Sequence, residues 1–335
     1  MRHSRRAFLR AAAASSAYVA LSACTSAPTA KRIPRLGYLG VYPAPDPALT
    51  PFLDAFVDGL RQLGYEDGKS IQIEWQGGPD ERWDAIAADF VRLPVDVIAG
   101  ASIVAIRAAL RATRTIPVVM TLGSDPIESG LAQTLARPGG NLTGMGVLTS
   151  VTAVKRLELL KEAFPGITRV AMLGDTDPVR ARQFSATEDA SRTLRLEPIR
   201  LEVSVANVAA DLQRAFDTAT SRDADALLVL AVPSQISGLR RQIVAYAASR
   251  RIPAAYATVG GFVEDGGLLG YGDNGLESFR RAASFVDRIL KGASPAELPI
   301  EQPTKFDLVV NLKTARAFGF TIPQTILSRA TQVIQ

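Results

Sequence analysis

Near-continuous apolar runs, each followed by a short polar loop and a helical segment, repeat along this chain. One copy runs Val95-Asp-Val-Ile-Ala-Gly-Ala-Ser102, continues through an Ala/Arg-rich segment and reaches Thr115-Ile-Pro-Val-Val-Met120. A second copy runs Ala224-Asp-Ala-Leu-Leu-Val-Leu-Ala-Val-Pro-Ser234, continues through an Arg-rich segment and reaches Arg251-Ile-Pro-Ala-Ala-Tyr256. Apolar runs without alternation are typical of strands buried on both faces of a parallel sheet. Two copies therefore predict two parallel sheets.

Strand and helix patterns alternate from Arg35 onward and restart after Gly139-Gly-Asn141. The strand Arg35-Leu-Gly-Tyr-Leu-Gly40 opens the first series, and Arg169-Val-Ala-Met-Leu-Gly174 opens the second. This alternation predicts an α/β fold. Any long α/β chain alternates in this way, but the element-by-element match between the series favours two similar lobes.

The last segment, about 268–335, is too short for a third domain and holds one strongly amphipathic helix. We therefore expect it to cross back and complete both lobes, so that several hinge strands join them. The predicted crossings lie near 146–151, 266–272 and 296–305. The predicted lobes comprise 35–146 with about 270–298, and 147–268 with about 300–335.

Residues 1–23 have the features of a secretory signal. Arg5 and Arg6 precede Phe8-Leu9, as in twin-arginine export signals, although Sec-dependent export stays an alternative. The small-residue stretch from Ala11 to Ala23 is shorter than the ~20 residues that a spanning helix needs. Leu21-Ser-Ala-Cys24 resembles a bacterial lipoprotein box, which predicts lipidation of Cys24; an incidental cysteine is the alternative. Residues 24–34 then form a lipidated tether.

Composition narrows the function classes. Hydrophobic residues make up 47% of the 335 residues and charged residues 21%, an ordinary globular balance. Of 38 Lys and Arg, four lie within residues 1–23, which leaves 34 against 33 Asp and Glu. The formal charge of +5 therefore reflects the N-terminus, and no basic run with interleaved aromatic residues indicates nucleic acid.

The chain has a single histidine, His3, and a single cysteine, Cys24. This excludes an intramolecular disulfide, a structural zinc site with cysteine or histidine ligands, and a Ser-His or Cys-His nucleophile in the body of the protein. No P-loop and no GxGxxG fingerprint is present. We therefore predict no metal and no cofactor.

Ligands of parallel α/β sheets bind at the loops that leave the carboxyl ends of the strands. Ser102 and Ser234 stand where helices begin, so each is a candidate for carboxylate binding or a simple N-cap. Asp125 is a candidate partner for a ligand ammonium, or an Asx turn before Pro126. Tyrosines in these loops offer a flat face for stacking, although packing is the common role of a tyrosine. The candidate ligand residues are Tyr42, Ser102, Ser124, Asp125, Asp175, Ser234, Tyr256 and Tyr271.

Several stretches in order resemble the substrate-binding proteins of ABC transporters, in the group whose characterised members bind tryptophan or other aromatic amino acids. The matching stretches are Phe56-Val-Asp-Gly-Leu-Arg-Gln-Leu-Gly-Tyr65, Asp125-Pro126, Leu135-Ala-Arg-Pro-Gly-Gly-Asn-Leu-Thr-Gly144, Lys155-Arg-Leu-Glu-Leu-Leu-Lys161, Phe262-Val-Glu-Asp-Gly-Gly267, Gln302-Pro-Thr-Lys-Phe306 and Asn311-Leu-Lys-Thr314. The resemblance covers Arg35 to the C-terminus.

The resemblance implies a type I periplasmic binding fold, in which two Rossmann-like lobes with parallel sheets are joined by a multi-strand hinge. It also implies a ligand cleft lined by the loops at Ser102, Asp125, Asp175 and Tyr271, with an ABC permease and an ATPase as partners. The protein is then a monomeric, lipid-anchored receptor of the periplasm or cell surface, without enzymatic activity, that binds a small carboxylate-bearing ligand.

The chain departs from the family pattern in three ligand loops. Ser102-Ile103 stands where Thr-Pro is common, Pro233-Ser-Gln235 where an aromatic-rich loop is common, and Gly270-Tyr271-Gly272 where Ser-Tyr-Gly is common. Because of these departures, the resemblance does not identify the ligand of this chain. Two other functions also stay open: a ligand-sensing domain of a membrane sensor, and an exported hydrolase-type enzyme with Asp125 as its base.

Overall fold

The computed structural model of the protein describes residues 32–40, 50–78, 82–123, 125–177, 181–232, 234–258 and 261–335, and only the backbone of Gly123 and Ser234. The strands are β1 (Arg35–Gly40), β2 (Gln72–Gly77), β3 (Val97–Gly100), β4 (Val118–Gly123), β5 (Leu142–Gly146), β6 (Arg169–Asp175), β7 (Glu197–Val203), β8 (Ala226–Val229), β9 (Ala254–Tyr256), β10 (Leu269–Asp273), β11 (Ile300–Glu301), β12 (Phe306–Asn311) and β13 (Gln332–Ile334). The helices are α1 (Thr50–Gln62), α2 (Trp83–Arg92), α3 (Ile103–Ala112), α4 (Thr149–Ala163), α5 (Ala181–Thr193), α6 (Val208–Ser221), α7 (Ser234–Ser237), α8 (Arg240–Arg250), α9 (Gly275–Leu290), α10 (Leu312–Phe318) and α11 (Gln324–Leu327).

These strands form two sheets, as the repeated apolar runs predict. The first sheet has the order β11-β5-β4-β3-β1-β2 and is parallel throughout. The second has the order β13-β12-β10-β9-β8-β6-β7, and only the pair of β10 and β12 is antiparallel. Both sheets lie within the compact unit Pro34–Gln335.

The strand orders confirm the internal repeat. The series β4-β3-β1-β2 in the first sheet has the same order as β9-β8-β6-β7 in the second. The apolar runs of the two copies form β3 and β8, and every residue of both strands is buried. A strand with helices on both faces has no solvent side, so its sequence shows no alternation.

Helices cover both faces of each sheet. In the first sheet, Tyr38 of β1 packs with Phe56 of α1 and Phe285 of α9, whereas Leu39 packs on the opposite face with Phe90 of α2. Successive residues of β1 therefore enter different cores, which is the two-residue period of a strand. Two further cores lie on the two faces of the second sheet.

The chain passes between the lobes three times, after β5, after β10 and after β11. As predicted, the late helix α9 returns to the first lobe, where it packs on α1. The two helices approach closely at Gly59, where a Cβ atom would lie 2.6 Å from the carbonyl oxygen of Arg280.

The sheet assignment locates the second crossing at the end of β10, a few residues after the expected boundary at about 270. The strand β10 pairs with β9 and β12 and belongs to the second sheet through Asp273, so the chain enters the first lobe only at Asn274. The pattern of apolar residues around 268–273 did not show which sheet the strand joins. That depends on its pairing with β9, which precedes it in the chain, and with β12, which follows it.

Among the described residues, no helix combines the length and the apolar character that crossing a bilayer requires.

Candidate ligand-binding site between the two lobes

The facing edges of the lobes meet at the turn that follows β4. Glu128 of this turn accepts a hydrogen bond from the Ser150 hydroxyl at 2.9 Å, and its other carboxylate oxygen lies 3.1 Å from Nε of Arg182. Ser150 is in the first turn of α4 and Arg182 in the first turn of α5, both of the second lobe. Burial raises the pKa of Glu128, and the Ser150 hydrogen bond opposes that shift. The turn after β4 and the starts of α4 and α5 therefore lie at one shared edge.

Asp125 shapes this turn. Its Oδ1 accepts hydrogen bonds from the backbone N–H groups of Ile127, at 2.8 Å, and Glu128, at 3.0 Å. This is the Asx turn that the sequence offered as the alternative role for Asp125. On the other side of the turn, Arg107 of α3 donates to the carbonyl oxygen of Ser129 at 2.7 Å. Asp125 therefore positions Glu128, and its pairing with a ligand stays a prediction.

Ser102 occupies the N-cap position of α3, directly after the buried strand β3. Its side chain makes no capping hydrogen bond, and the residue is half-buried. The first N–H groups of α3 and the Ser102 hydroxyl are therefore at the same edge as Asp125. A helix start of this kind suits an anionic group.

Asp175 ends β6 at the equivalent edge of the second sheet and is buried. Ser234 begins α7, as predicted, but its side chain lies outside the described residues. The described backbone thus places both copies of the repeated loop at the carboxyl ends of their sheets. Tyr42, Ser124, Cys24, Arg5 and Arg6 also lie outside the described residues.

Tyr256 corrects a prediction. Its side chain was expected to stack on a ligand, but it is 0% exposed and its ring packs on Phe262, with ring centroids 5.1 Å apart. Gly267 borders the same ring so closely that a Cβ atom there would lie 2.7 Å from it. The side chain points into the core between the second sheet and its helices. Tyr256 is therefore a packing residue.

Tyr271 is half-buried on β10 and stacks on Phe306 of β12, with centroids 5.9 Å apart and planes 11° from parallel. Burial raises its pKa. Its ring lies against the core beneath α4, two residues before the chain leaves the second lobe. One face of Tyr271 is thus occupied by Phe306, and a role in ligand stacking stays a prediction.

Two charged residues that the sequence reasoning missed are buried at this edge. Arg156 of α4 is 1% exposed, and Asp273, the last residue of β10, is 7% exposed. Arg156 stands at helical spacing with the buried Ala153, Leu157 and Leu160. A charged residue on the apolar face of a helix is unusual, and this feature of the sequence indicates Arg156 as a candidate functional residue.

The described residues contain no group of three or more His, Cys, Asp or Glu side chains suited to a metal ion.

A family model for the ABC transporter substrate binding protein matches residues 43–334. The chain belongs to this family. The resemblance inferred from the sequence is thereby confirmed, and so is the type I periplasmic binding architecture of two α/β lobes.

Several relatives of this substrate-binding protein are known. A tyrosine-binding protein of Clostridioides difficile (strain R20291) is 26% identical over 277 residues, which cover 81% of this chain and 77% of the relative. The crystal structure of an ABC domain from Streptococcus pneumonia in complex with L-Trp is 25% identical, covers 90% of this chain and 99% of its own, and has a TM-score of 0.80. The ligand-free, open structure of a substrate binding protein from Clostridium difficile is also 25% identical, covers 90% and 100%, and has a TM-score of 0.67.

As a family member, this substrate-binding protein is an extracytoplasmic part of an ABC transport system. It binds a small molecule and works with the other transporter components. The two lobes are in contact through Glu128, in the turn that Asp125 stabilises, and through Ser150 and Arg182.

Proposed function

We propose that this substrate-binding protein binds an aromatic α-amino acid between its two lobes and delivers it to an ABC permease and its ATPase. The observation that carries the proposal is the similarity, over 81% and 90% of the chain, to a tyrosine-binding protein and to a structure in complex with L-Trp. In this proposal, Ser102, Asp125, Asp175 and Tyr271 contribute to the cleft.

Lobe closure accompanies binding in this proposal. The three crossings provide a hinge, and Glu128 joins the lobes through Ser150 and Arg182. The TM-score is higher against the L-Trp complex, 0.80, than against the ligand-free open structure, 0.67, at the same identity and coverage of this chain. Both observations support a closed arrangement of the lobes. Hinge closure around a ligand is a common switch in periplasmic binding proteins.

The protein acts by binding, without turnover. Its only histidine and cysteine lie before the folded body, and Oδ1 of Asp125, the candidate base, is engaged by two backbone N–H groups. The carboxylate therefore has a structural task that does not require a substrate.

Cys24 anchors the protein to the membrane through a lipid, after export directed by Arg5 and Arg6. The support is the Leu21-Ser-Ala-Cys24 motif behind a charged start and a short apolar stretch. Cys24→Ser is expected to move the protein from the membrane fraction to the soluble extracytoplasmic fraction. Retention of this variant in the membrane fraction argues against the anchor.

Binding is tested on full-length protein that has been unfolded in guanidinium and refolded, which removes any solute that copurifies. Thermal unfolding is followed with each L-amino acid, its D-enantiomer and a set of aromatic acids. We expect L-Tyr or L-Trp to raise the Tm, with a stabilisation of about 2.7 kcal/mol at a concentration 100 times Kd. If no aromatic amino acid changes the Tm or gives heat on titration, the proposed ligand class is wrong.

A further inference from the structure

Arg156 and Asp273 carry opposite charges in the interior of the second lobe. Arg156 projects from α4, and Asp273 ends the strand β10 that α4 covers. Among the described residues, Nε and Nη2 of Arg156 and Oδ2 of Asp273 are buried and have no hydrogen-bond partner. The structure thus holds a guanidinium and a carboxylate that each have buried atoms without a hydrogen bond.

Leaving such groups unpaired is unfavourable. An ionised side chain taken out of water costs several kcal/mol unless hydrogen bonds and an opposite charge compensate it. Burial lowers the pKa of Arg156 to about 10 and raises the pKa of Asp273 to about 6, although each charge opposes the shift of the other. Their mutual attraction therefore does not offset the loss of water, and both groups favour a ligand that supplies the missing partners.

Both side chains lie near the edge where the lobes meet. Asp273 is followed by Asn274, which caps α9 of the first lobe. Thr258, at the carboxyl end of β9, donates a hydrogen bond to the carbonyl oxygen of Asp273 at 3.0 Å, so the ends of both strands coincide. Arg156 is close enough to Asp273 for their charges to interact, and the first turn of its helix α4 carries Ser150, which contacts Glu128 of the first lobe.

The chemistry of the pair fits a zwitterion. A guanidinium presents parallel N–H groups that match the two oxygens of a carboxylate, and a carboxylate oxygen accepts from an ammonium. An α-amino acid carries both complementary groups on a single carbon atom. We propose that Arg156 binds the carboxylate and Asp273 the ammonium of an α-amino acid, so that these two residues recognise its backbone while other residues select its side chain. This inference rests on the proposed function and names the subsite that serves it.

The subsite predicts which part of the ligand each residue senses. The test uses L-Tyr or L-Trp, whichever binds more tightly, with its decarboxylated amine and its deaminated acid. Arg156→Met is expected to lower the affinity for the amino acid roughly 10- to 100-fold, which is the range for loss of hydrogen bonds between charged groups. Its affinity for the amine is expected to equal that of the wild type. Asp273→Asn is expected to lower the affinity for the amino acid by a similar factor and to leave the affinity for the deaminated acid unchanged.

Separate control variants test whether the substitutions affect folding and whether their effect on binding is specific. Arg156→Met removes one buried charge but leaves Asp273 without a neighbouring cation, so its Tm is expected to be lower than that of the wild type, and its affinity is measured at a temperature at which it is folded. If it does not fold, Arg156→Lys keeps the charge without the fork of donors and is expected to lose at least 10-fold in affinity. Arg192→Met on the exposed face of α5 is the matched control and is expected to bind as the wild type does.

The outcomes separate this inference from the proposed function. If the wild type binds an aromatic amino acid and Arg156→Met binds it equally well, the subsite is wrong and the proposed function stands. Equal weakening of the amino acid and the amine assigns Arg156 a structural role and also overturns the subsite. If the wild type binds no α-amino acid, both the subsite and the proposed ligand are wrong.

Discussion

At the scale of single residues, the buried carboxylates of this protein differ in what their oxygens contact. Oδ1 of Asp125 accepts two backbone N–H groups and stabilises a turn. Oδ2 of Asp273 is buried and has no partner in the described part of the chain. Burial disfavours the ionised form of a carboxyl group, and it is the largest cause of the raised pKa of Asp273. Asp273 is therefore unfavourable to the folded state when it is ionised.

This difference gives a pH dependence. The pKa of Asp273 rises from 3.8 to about 6 on folding because of burial; Arg156 opposes the rise, and Asp307 adds to it. A raised pKa contributes stability that is fully present below pH 3.8 and is lost as the pH rises through about 6. The shift corresponds to about 2–3 kcal/mol.

Asp273→Asn removes this titration. We expect the stability of the ligand-free wild type, relative to that of Asp273→Asn, to fall by about 2–3 kcal/mol between about pH 4 and pH 7. Denaturant unfolding of both proteins at each pH measures this difference, and titrations common to both cancel. A difference in stability that is constant over this pH range contradicts the prediction.

At the scale of elements, two helices that start at an asparagine differ in how that asparagine caps them. Asn274 caps α9 directly after the second crossing, and its Oδ1 accepts the N–H of Glu277 at 2.8 Å. Asn207 occupies the same position on α6 but makes no capping hydrogen bond. Two asparagines at equivalent helix positions therefore have different surroundings.

Asn274→Ala is expected to lower the free energy of unfolding by about 1 kcal/mol, because an N–H group of α9 loses its partner. Asn207→Ala is the matched control, and we expect its stability to stay within about 0.5 kcal/mol of the wild type. Urea unfolding measures both values. Equal losses for the two variants show that the hydrogen bond of Asn274 is not the cause.

At the scale of the whole described unit, the contacts between the lobes set the cost of opening the cleft. The carboxylate of Glu128 is 15% exposed and contacts the second lobe through Ser150 and through Arg182, whose side chain is 72% exposed. Exposed ion pairs contribute ~0–1 kcal/mol, and a typical protein hydrogen bond contributes about 1 kcal/mol. The two contacts together thus favour closure by about 1–2 kcal/mol.

Glu128→Ala is expected to weaken ligand binding about 5- to 20-fold, because part of the binding free energy must then compensate for the lost contacts between the lobes. Asp84→Ala is the matched control, since it removes an ion pair with Arg111 that lies within the first lobe. Calorimetry with the amino acid that binds the wild type gives both affinities. Wild-type affinity in Glu128→Ala shows that Glu128 does not favour closure.

The positions of β3 and β8 follow from the sequence, since an unbroken apolar run is stable only between two helical layers. The sequence also predicts the repeat, the return of α9 to the first lobe, and the family, because local periodicity and the order of elements along the chain suffice for them. It predicts the candidate site only in part. Loops at strand ends identify Ser102 and Asp125, but the turn made by Asp125 appears only when Ile127 and Glu128 are in place.

Tertiary structure alone decided the rest. Tyr256 and Tyr271 stand in similar apolar surroundings in the sequence, yet one ring is enclosed by Phe262 and the other remains half-buried beside Phe306. Arg156 and Asp273 are far apart along the chain and become neighbours only because α4 lies on β10. Burial and charge pairing depend on which elements pack together, and that information is not contained in the periodicity of any single segment.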